Sequence, residues 1–157
     1  MTYRPQYVYP PCPAGYRDEQ FHYSFDSTLV PALGNAIAAG QYSGDIILPL
    51  EADADFIACA FKIQAADTSR STLSFQLKTP HGDYIETAYV PVARYAGEGD
   101  GALIAGRLLI PIEEAVWCPA GSNWTIYFYN PTSGSVTPPR ITLFGVKRRK
   151  CGNRKAA

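Results

Sequence analysis

Bulky apolar residues alternate with polar residues in short runs along most of the chain. The clearest run is 72–79, in which Leu73, Phe75 and Leu77 are separated by single polar residues. A two-residue period predicts a β-strand with one buried face and one exposed face. Comparable runs separated by turn-forming residues predict about eight strands, which occupy 21–26, 45–51, 56–64, 72–79, 84–92, 103–112, 123–130 and 141–148.

No stretch of the sequence has the spacing of a long helix. The small apolar segment 27–42 comes nearest, but Pro31, Gly34 and Gly40 interrupt it, which favours a loop with one helical turn. Many short strands joined by turns are typical of a sandwich of two antiparallel sheets. The predicted fold class is therefore all-β, an antiparallel, jelly-roll-like β-sandwich of about eight strands.

The first 20 residues are rich in tyrosine and proline and contain no apolar run typical of a signal peptide. Because proline fixes φ and biases the preceding residue towards extended backbone, we predict an extended arm over 1–20. Aromatic side chains are enriched at interfaces, so the arm is expected to pack on its own domain or on a neighbouring subunit. The residues predicted to make subunit contacts are Tyr3, Arg4, Tyr7 and Tyr9.

The formal net charge is zero, but the two signs are separated along the chain. Residues 1–139 hold all 14 acidic residues and half of the basic ones, whereas 140–157 hold only basic charges. We therefore predict three parts: the arm at 1–20, the sandwich at 21–146 and a basic C-terminal tail at 147–157. An acidic body with a basic terminus suits contacts between copies, although a solvated tail is the alternative. The predicted contact residues in the tail are Lys147, Arg148, Arg149 and Lys150.

The four cysteines are too widely spaced to form a C-x-x-C zinc motif. Cys59 is flanked by apolar residues and is predicted to be a small buried side chain. Without an export signal, reduced thiols are expected. Cys12 and Cys151 lie in the two peripheral segments, and a disulfide between subunits at these two residues is a further hypothesis.

Residues suited to catalysis or metal binding are few and poorly arranged. Glu51, Asp53 and Asp55 alternate and would share a strand face, but the segment lacks the glycine and distal glutamate of a calcium loop. Glu113 and Glu114 are adjacent and would point to opposite strand faces. No nucleophile elbow or phosphate-binding loop is present. We therefore expect no enzymatic activity, no metal and no cofactor.

Composition and motifs bear on three further classes of partner. Trp117 and Trp124 flank a predicted turn and suit either a sugar-binding platform or the sandwich core. Nucleic acid is a disfavoured partner because the body has no second basic stripe to continue the footprint of the tail. A membrane is disfavoured as well, because no apolar run approaches the roughly 18 residues of a membrane span.

The segments 45–61 and 139–148 resemble small virion proteins of tailed bacteriophages. The likeness lies in a strand that leaves the sheet and re-enters it at Asp55-Phe56, and in a final strand that ends in basic residues; it extends over about 43–149. The resemblance implies a β-sandwich attached to the capsid surface or forming part of the neck, collar or tail. The Tyr/Pro-rich arm and the four cysteines depart from the general pattern of that family.

These observations predict a non-enzymatic structural protein of a phage virion, made in the host cytoplasm and assembled in multiple copies. Its expected partners are other copies of itself and other virion proteins of the capsid, portal, neck or tail. The alternative is a carbohydrate- or receptor-binding sandwich of a spike or tail tip, using loops near Trp124, Tyr84 and Tyr95.

Overall fold

The computed structural model describes residues 11–64, 72–86, 88–93 and 110–151. Within these ranges lie eight strands and one short 3₁₀ helix at Pro31–Gly34, and no helix there is long and apolar enough to cross a membrane. The strands are β1 (Tyr16–Phe25), β2 (Ile46–Pro49), β3 (Asp55–Gln64), β4 (Ser74–Lys78), β5 (Val90–Pro91), β6 (Ile110–Cys118), β7 (Asn123–Tyr129) and β8 (Arg140–Lys150).

The strands form two antiparallel four-stranded sheets. The first has the order β1-β8-β3-β6 and the second the order β2-β7-β4-β5. Their inward faces share one hydrophobic core, which confirms the predicted all-β class and the two-layer sandwich.

The strand pairing is nested. β1 pairs with β8, β2 with β7, β3 with β6 and β4 with β5. The chain is thus paired like one long hairpin, with its tip between β4 and β5 and its two ends side by side at β1 and β8. The beginning and the end of the sandwich therefore lie at neighbouring positions.

The core follows the alternation of the sequence. Phe75 and Leu77 of β4 are fully buried, as predicted, and Trp124, Ile126 and Phe128 of β7 belong to the same interior. Fully burying one such side chain stabilises the fold by roughly 1.5–3 kcal/mol. The core thus holds the two sheets together.

β8 is a central strand of the first sheet, between β1 and β3. Its Gly145 lies opposite Phe21 on one side and Ala58 on the other. The register of β3 shifts between Ala58 and Ala60, so that Cys59 occupies a β-bulge. Cys59 is buried, as predicted from its apolar flanks.

Two strands extend further than the sequence predicts. β1 begins at Tyr16, inside the predicted arm, and β8 continues to Lys150, inside the predicted tail. The physical reason is charge pairing between the two strands, because Asp18 lies opposite Arg148 and binds it at 2.8 Å, and Glu19 lies 3.6 Å from Arg149. The remaining parts of the predicted arm and tail, 1–10 and 152–157, lie outside the described residues.

Two other predicted strands differ in extent. Among the described residues of the predicted strand 84–92, only Val90–Pro91 is a strand, and Tyr84 forms an isolated bridge with Lys78. β6 is continuous from Ile110 to Cys118, whereas the sequence suggested an end near 112. The portion 103–109 of that prediction lies outside the described residues.

Candidate interaction surfaces

Acidic and basic residues that are far apart in the sequence meet at one end of the sandwich. The loop between β2 and β3 carries Glu51 and Asp53, and the basic run 147–150 ends β8. β3 and β8 pair in a register that sets Phe56 opposite Lys147, which brings the loop beside the strand end. The resulting cluster, here named the charged end, consists of Asp18, Glu19, Glu51, Asp53, Lys147, Arg148 and Arg149.

Lys147 and Arg148 are the buried members of the charged end, each with 2% of its side chain exposed. The Nζ of Lys147 donates hydrogen bonds to Glu51 and to both carboxylate oxygens of Asp53, at 3.1 and 3.2 Å for the latter. The ammonium also lies 3.9 Å from the centre of the Phe21 ring, a cation–π contact. Burial alone would lower the pKa of Lys147, but the hydrogen bonds to Glu51 and Asp53 outweigh it and raise the pKa.

Arg148 lies on the opposite face of β8. Its Nε and one terminal nitrogen each donate to a different oxygen of Asp18 at 2.8 Å, a bidentate pair. The guanidinium also lies 5.1 Å from the Trp117 ring centre. The hydrogen bond from Arg148 is the main cause of a lowered pKa of Asp18.

Arg149 lies at the border between the charged end and solvent. One of its terminal nitrogens is 2.7 Å from Asp53, and its Nε is 3.6 Å from Glu19. Lys150 is exposed. Of the four basic residues predicted to contact a partner, Lys147, Arg148 and Arg149 therefore bind carboxylates of their own chain.

The three alternating acidic residues of the sequence, Glu51, Asp53 and Asp55 (the acidic triplet), make two kinds of contact. Glu51 and Asp53 bind the Lys147 ammonium, whereas Asp55 accepts a hydrogen bond from the backbone N–H of Ala120 at 2.9 Å. In the described part of the chain, no group of three or more His, Cys, Asp or Glu side chains is arranged to hold a metal ion. The triplet therefore acts as a set of internal ion-pair and turn contacts.

Of the residues that the structure describes, five tyrosines lie on the outer face of the second sheet. Tyr127 and Tyr129 alternate with the buried residues of β7 and point outward. Tyr42 packs against Tyr129, with ring centres 4.7 Å apart, and Tyr84 lies 6.2 Å from Tyr127. This surface, here named the tyrosine face, consists of Tyr42, Tyr84, Tyr89, Tyr127 and Tyr129.

The tyrosine face is aromatic and substantially exposed. Tyr42 is 63% exposed and Tyr84 47%. Partial burial is the main cause that raises the pKa of Tyr89, and the neighbouring phenols of Tyr42 and Tyr84 raise it further. The Tyr89 side chain is therefore uncharged over the physiological range. The sequence contained one signal for this surface: both alternating faces of 123–129 carry aromatic residues. The sequence analysis did not predict the tyrosine face from it.

A groove runs along the edge of the first sheet. β6 is an edge strand, and together with the loop 79–86 it encloses about 690 Å³. Trp117, Tyr84 and His81 line it, beside several carboxylates: Asp83, Glu86, Glu113 and Glu114. His81 Nε2 lies 2.5 Å from the carbonyl oxygen of Trp117, which connects the loop to the strand.

The two tryptophans have different environments. Trp124 is fully buried and donates a hydrogen bond from Nε1 to the Cys118 sulfur at 3.2 Å. Trp117 is 41% exposed and lines the groove. Trp124 is thus a core residue and Trp117 is the accessible tryptophan. Tyr95, the third residue predicted to be near a ligand-binding loop, lies outside the described residues. So do the predicted contact residues of the arm, Tyr3, Arg4, Tyr7 and Tyr9.

The cysteines also separate into two classes. Cys59 and Cys118 are buried, whereas Cys12 and Cys151 are exposed. Burial is the main cause that raises the pKa of Cys118, to about 11. The exposed pair lies beside the joined ends of β1 and β8, because the Cys151 N–H donates to the Gly15 carbonyl at 2.7 Å.

No protein-family model matches the sequence. No curated protein matches it either. The charged end, the tyrosine face, the groove and the exposed cysteines are therefore the features from which a function can be inferred.

Proposed function

We propose that this protein is a non-enzymatic structural component of a bacteriophage virion, assembled in multiple copies on the capsid surface or at the neck, collar or tail. The observation that carries the proposal is the tyrosine face, an exposed aromatic surface on a sheet whose other side is a packed core. The resemblance of 45–61 and 139–148 to small phage virion proteins supports the same assignment.

We also infer that the sandwich is a jelly roll. A jelly roll has eight antiparallel strands in two sheets that follow Greek-key connections. The nested pairing from β1–β8 to β4–β5 supports this topology, since each strand of the first half pairs with its counterpart in the second. Jelly rolls occur in viral capsid domains and in lectins, so the topology suits an assembly role and a sugar-binding role alike.

The tyrosine face suits protein contact better than the charged end does. Tyrosine offers large contact area with little side-chain entropy to lose, and aromatic residues dominate binding energy at interfaces. Three of the four basic residues at the end of β8 already bind their own chain. The contact surface is therefore the tyrosine face.

The partner of this face is the N-terminal segment 1–10 of a neighbouring copy. Proline-rich extended segments bind aromatic surfaces with a small entropy cost because their backbone is restrained before binding. Residues 1–10 contain Arg4 and no acidic residue. The face is bordered by Asp45: burial, and then the negative charge of Asp45, raises the pKa of Tyr127. The charges of the segment and the face are therefore complementary as well.

Repetition makes such contacts durable. A single contact of micromolar strength, about 8 kcal/mol, dissociates readily, but several contacts within one ring or shell must break together. Each copy has one segment to donate and one face to receive a segment. This arrangement generates closed rings or extended arrays from one type of contact.

Size measurement tests the assembly role. We expect the full-length protein to form oligomers in light scattering, and Tyr42→Ala combined with Tyr84→Ala to leave it monomeric. The matched control is Tyr16→Ala, because Tyr16 is 43% exposed but lies on β1, away from the face. Loss of assembly in the control, or full assembly of the double variant, would contradict the proposal.

A second candidate is the carbohydrate- or receptor-binding function. The groove of about 690 Å³ favours it, because Trp117 and Tyr84 are aromatic and the surrounding carboxylates accept hydrogen bonds from hydroxyl groups. Glycan-array binding that is abolished by Trp117→Ala and retained in the tyrosine-face variant Tyr42→Ala would favour this candidate. Absence of glycan binding would leave the assembly role as the supported one.

A further inference from the structure

We infer that Cys12 and Cys151 form a disulfide within one chain, which fastens the two ends of the sandwich together. This inference stands independently of the assembly role. It differs from the hypothesis of a disulfide between subunits because the fold brings the two residues to the same corner of one molecule.

The register of β1 and β8 positions Cys151. Tyr16 lies opposite Lys150, and the pairing continues by one step through the hydrogen bond from Cys151 N–H to Gly15 O. Directly opposed residues of antiparallel strands have Cα atoms about 4.5–5.5 Å apart. Cys151 therefore lies beside the backbone that immediately precedes β1.

A turn before β1 positions Cys12. The Tyr16 N–H donates to the Pro13 carbonyl at 3.2 Å, and Gly15 has a φ of +83°. A positive φ at the third position of a four-residue turn is the geometry that glycine adopts without strain. The turn reverses the chain, so that Cys12 returns towards the β1–β8 pair.

The neighbours of the Cys12 thiol place it at the same corner. It lies against Asp18, the bidentate partner of Arg148, and close enough to Cys151 for that residue to be among the causes that raise the pKa of Cys12. Partial desolvation and then the contact with Asp18 raise the pKa of Cys12. Both cysteines are exposed, so a soluble oxidant reaches them.

The reaction needs a small-molecule disulfide such as oxidised glutathione. One protein thiolate attacks it, its S–S bond breaks, and one glutathione thiolate leaves and takes up a proton. The second protein thiolate then attacks the mixed disulfide at the protein sulfur and releases the other glutathione. Each cysteine loses one electron, the oxidant gains two, and the two thiol protons end on two glutathione molecules.

The pairing within one chain has a kinetic advantage over pairing between chains. Two groups held at one corner have an effective local concentration in the millimolar range or higher, above that of a second protein molecule in dilute solution. The extent of the reaction is therefore expected to be independent of protein concentration. The raised pKa keeps Cys12 mainly in the thiol form at neutral pH. Since the thiolate is the attacking species, the reaction is expected to become faster as the pH increases.

The experiment oxidises the full-length protein with oxidised glutathione and analyses it under denaturing, non-reducing conditions. We expect a monomer that has lost two of its four titratable thiols, and a tryptic cross-link between peptides 1–17 and 151–154. We also expect a reductant-reversible rise in melting temperature of roughly 10 °C, because the bridge closes a very long loop.

Single variants provide the controls. Cys12→Ser and Cys151→Ser each remove one partner, so both are expected to lose the cross-linked peptide and the rise in melting temperature while remaining folded. Retention of all four thiols in the oxidised protein would overturn the inference. A covalent dimer joined through Cys12 and Cys151 as the main product would overturn the inference as well, and it would support the earlier hypothesis of a disulfide between subunits.

Discussion

The ammonium of Lys147 lies 3.1 Å from Oδ1 of Asp53, although 94 positions separate the two residues along the chain. This contact ties the end of β8 to the loop that leads into β3. It also explains the separation of charge along the sequence, because part of the basic end neutralises part of the acidic body inside one molecule. The charged end is therefore a structural feature of the fold.

The two partners of this contact are expected to respond differently to substitution. Combining Glu51→Gln with Asp53→Asn leaves a buried ammonium without a counter-charge, and we predict a loss of about 3 kcal/mol in the free energy of unfolding. Lys147→Met replaces the ammonium with an apolar side chain of similar length, while the partly exposed carboxylates remain hydrated. Here we predict a loss of about 1 kcal/mol or less.

Urea unfolding of the parent and the two variants under identical conditions measures both values. The order of the two losses is the informative quantity. If Lys147→Met destabilises the fold more than the double carboxylate variant does, then desolvation of the ammonium is not the dominant cost and the proposed energetics of the charged end are wrong.

The stability of the fold is expected to vary with pH at both extremes. The hydrogen bond from Arg148 lowers the pKa of Asp18 below its ordinary value of 3.8. A lowered carboxyl pKa gives stability that is present above about pH 4 and lost as the pH falls through the folded value. The raised pKa of Lys147 gives stability that is present below its ordinary value of 10.5 and lost at higher pH.

Thermal unfolding across the pH range checks this dependence. Asp18→Asn is expected to flatten the acid side of the profile. Lys147→Met is expected to flatten the alkaline side and also part of the acid side, because the hydrogen bond from Lys147 helps to lower the pKa of Asp53. An unchanged acid side in Asp18→Asn would show that the pair with Arg148 does not stabilise the fold.

Gly145 is predicted to be intolerant of any side chain. A Cβ atom at this position would collide with the backbone carbonyl of Ile57 and approach the Phe56 ring within 3.0 Å. Because backbone in a central strand cannot move aside cheaply, Gly145→Ala is expected to cost about 3 kcal/mol or more. Gly134→Ala is the control, since no atom lies within 4 Å of its Cβ position, and calorimetry should show it within about 0.5 kcal/mol of the parent.

Thiol labelling distinguishes the two classes of cysteine. In the folded, reduced protein, iodoacetamide is expected to modify Cys12 and Cys151 and to leave Cys59 and Cys118 unmodified. Cys118 is protected both by complete burial and by its pKa of about 11, which keeps it in the unreactive thiol form. Mass spectrometry of the native and the unfolded protein gives the comparison, and native labelling of Cys118 would contradict the packing of Trp124 against it.

The sequence was sufficient to predict much of the fold. Alternation is a local signal, so the inward positions Leu73, Phe75 and Leu77 and the buried Cys59 could be identified from it. The full extent of β1 and β8 could not, because the strand character of 16–20 and of 149–150, beyond the predicted strands, depends on complementary charges in two segments that are remote along the chain. Proline-rich and charge-rich composition is typical of arms and tails when each segment is considered alone.

The candidate surfaces were predicted less completely. Tyr84 and Trp117 were recognised as candidates, but Trp124 proved to be a core residue, and its immediate sequence does not distinguish the two tryptophans. The tyrosine face combines residues from β7, the segment before β2 and the segments around β5. Only the pairing of strands brings them together, so no local pattern predicts the whole surface.

Complementation between two defective variants tests the central claim most directly. One variant lacks residues 2–10 and keeps the tyrosine face; the other carries Tyr42→Ala and Tyr84→Ala and keeps the N-terminal segment. We predict that each variant alone sediments as a monomer and that an equimolar mixture forms a two-chain complex, because one intact segment meets one intact face. A mixture that remains monomeric, or either variant assembling alone, would contradict the proposed contact.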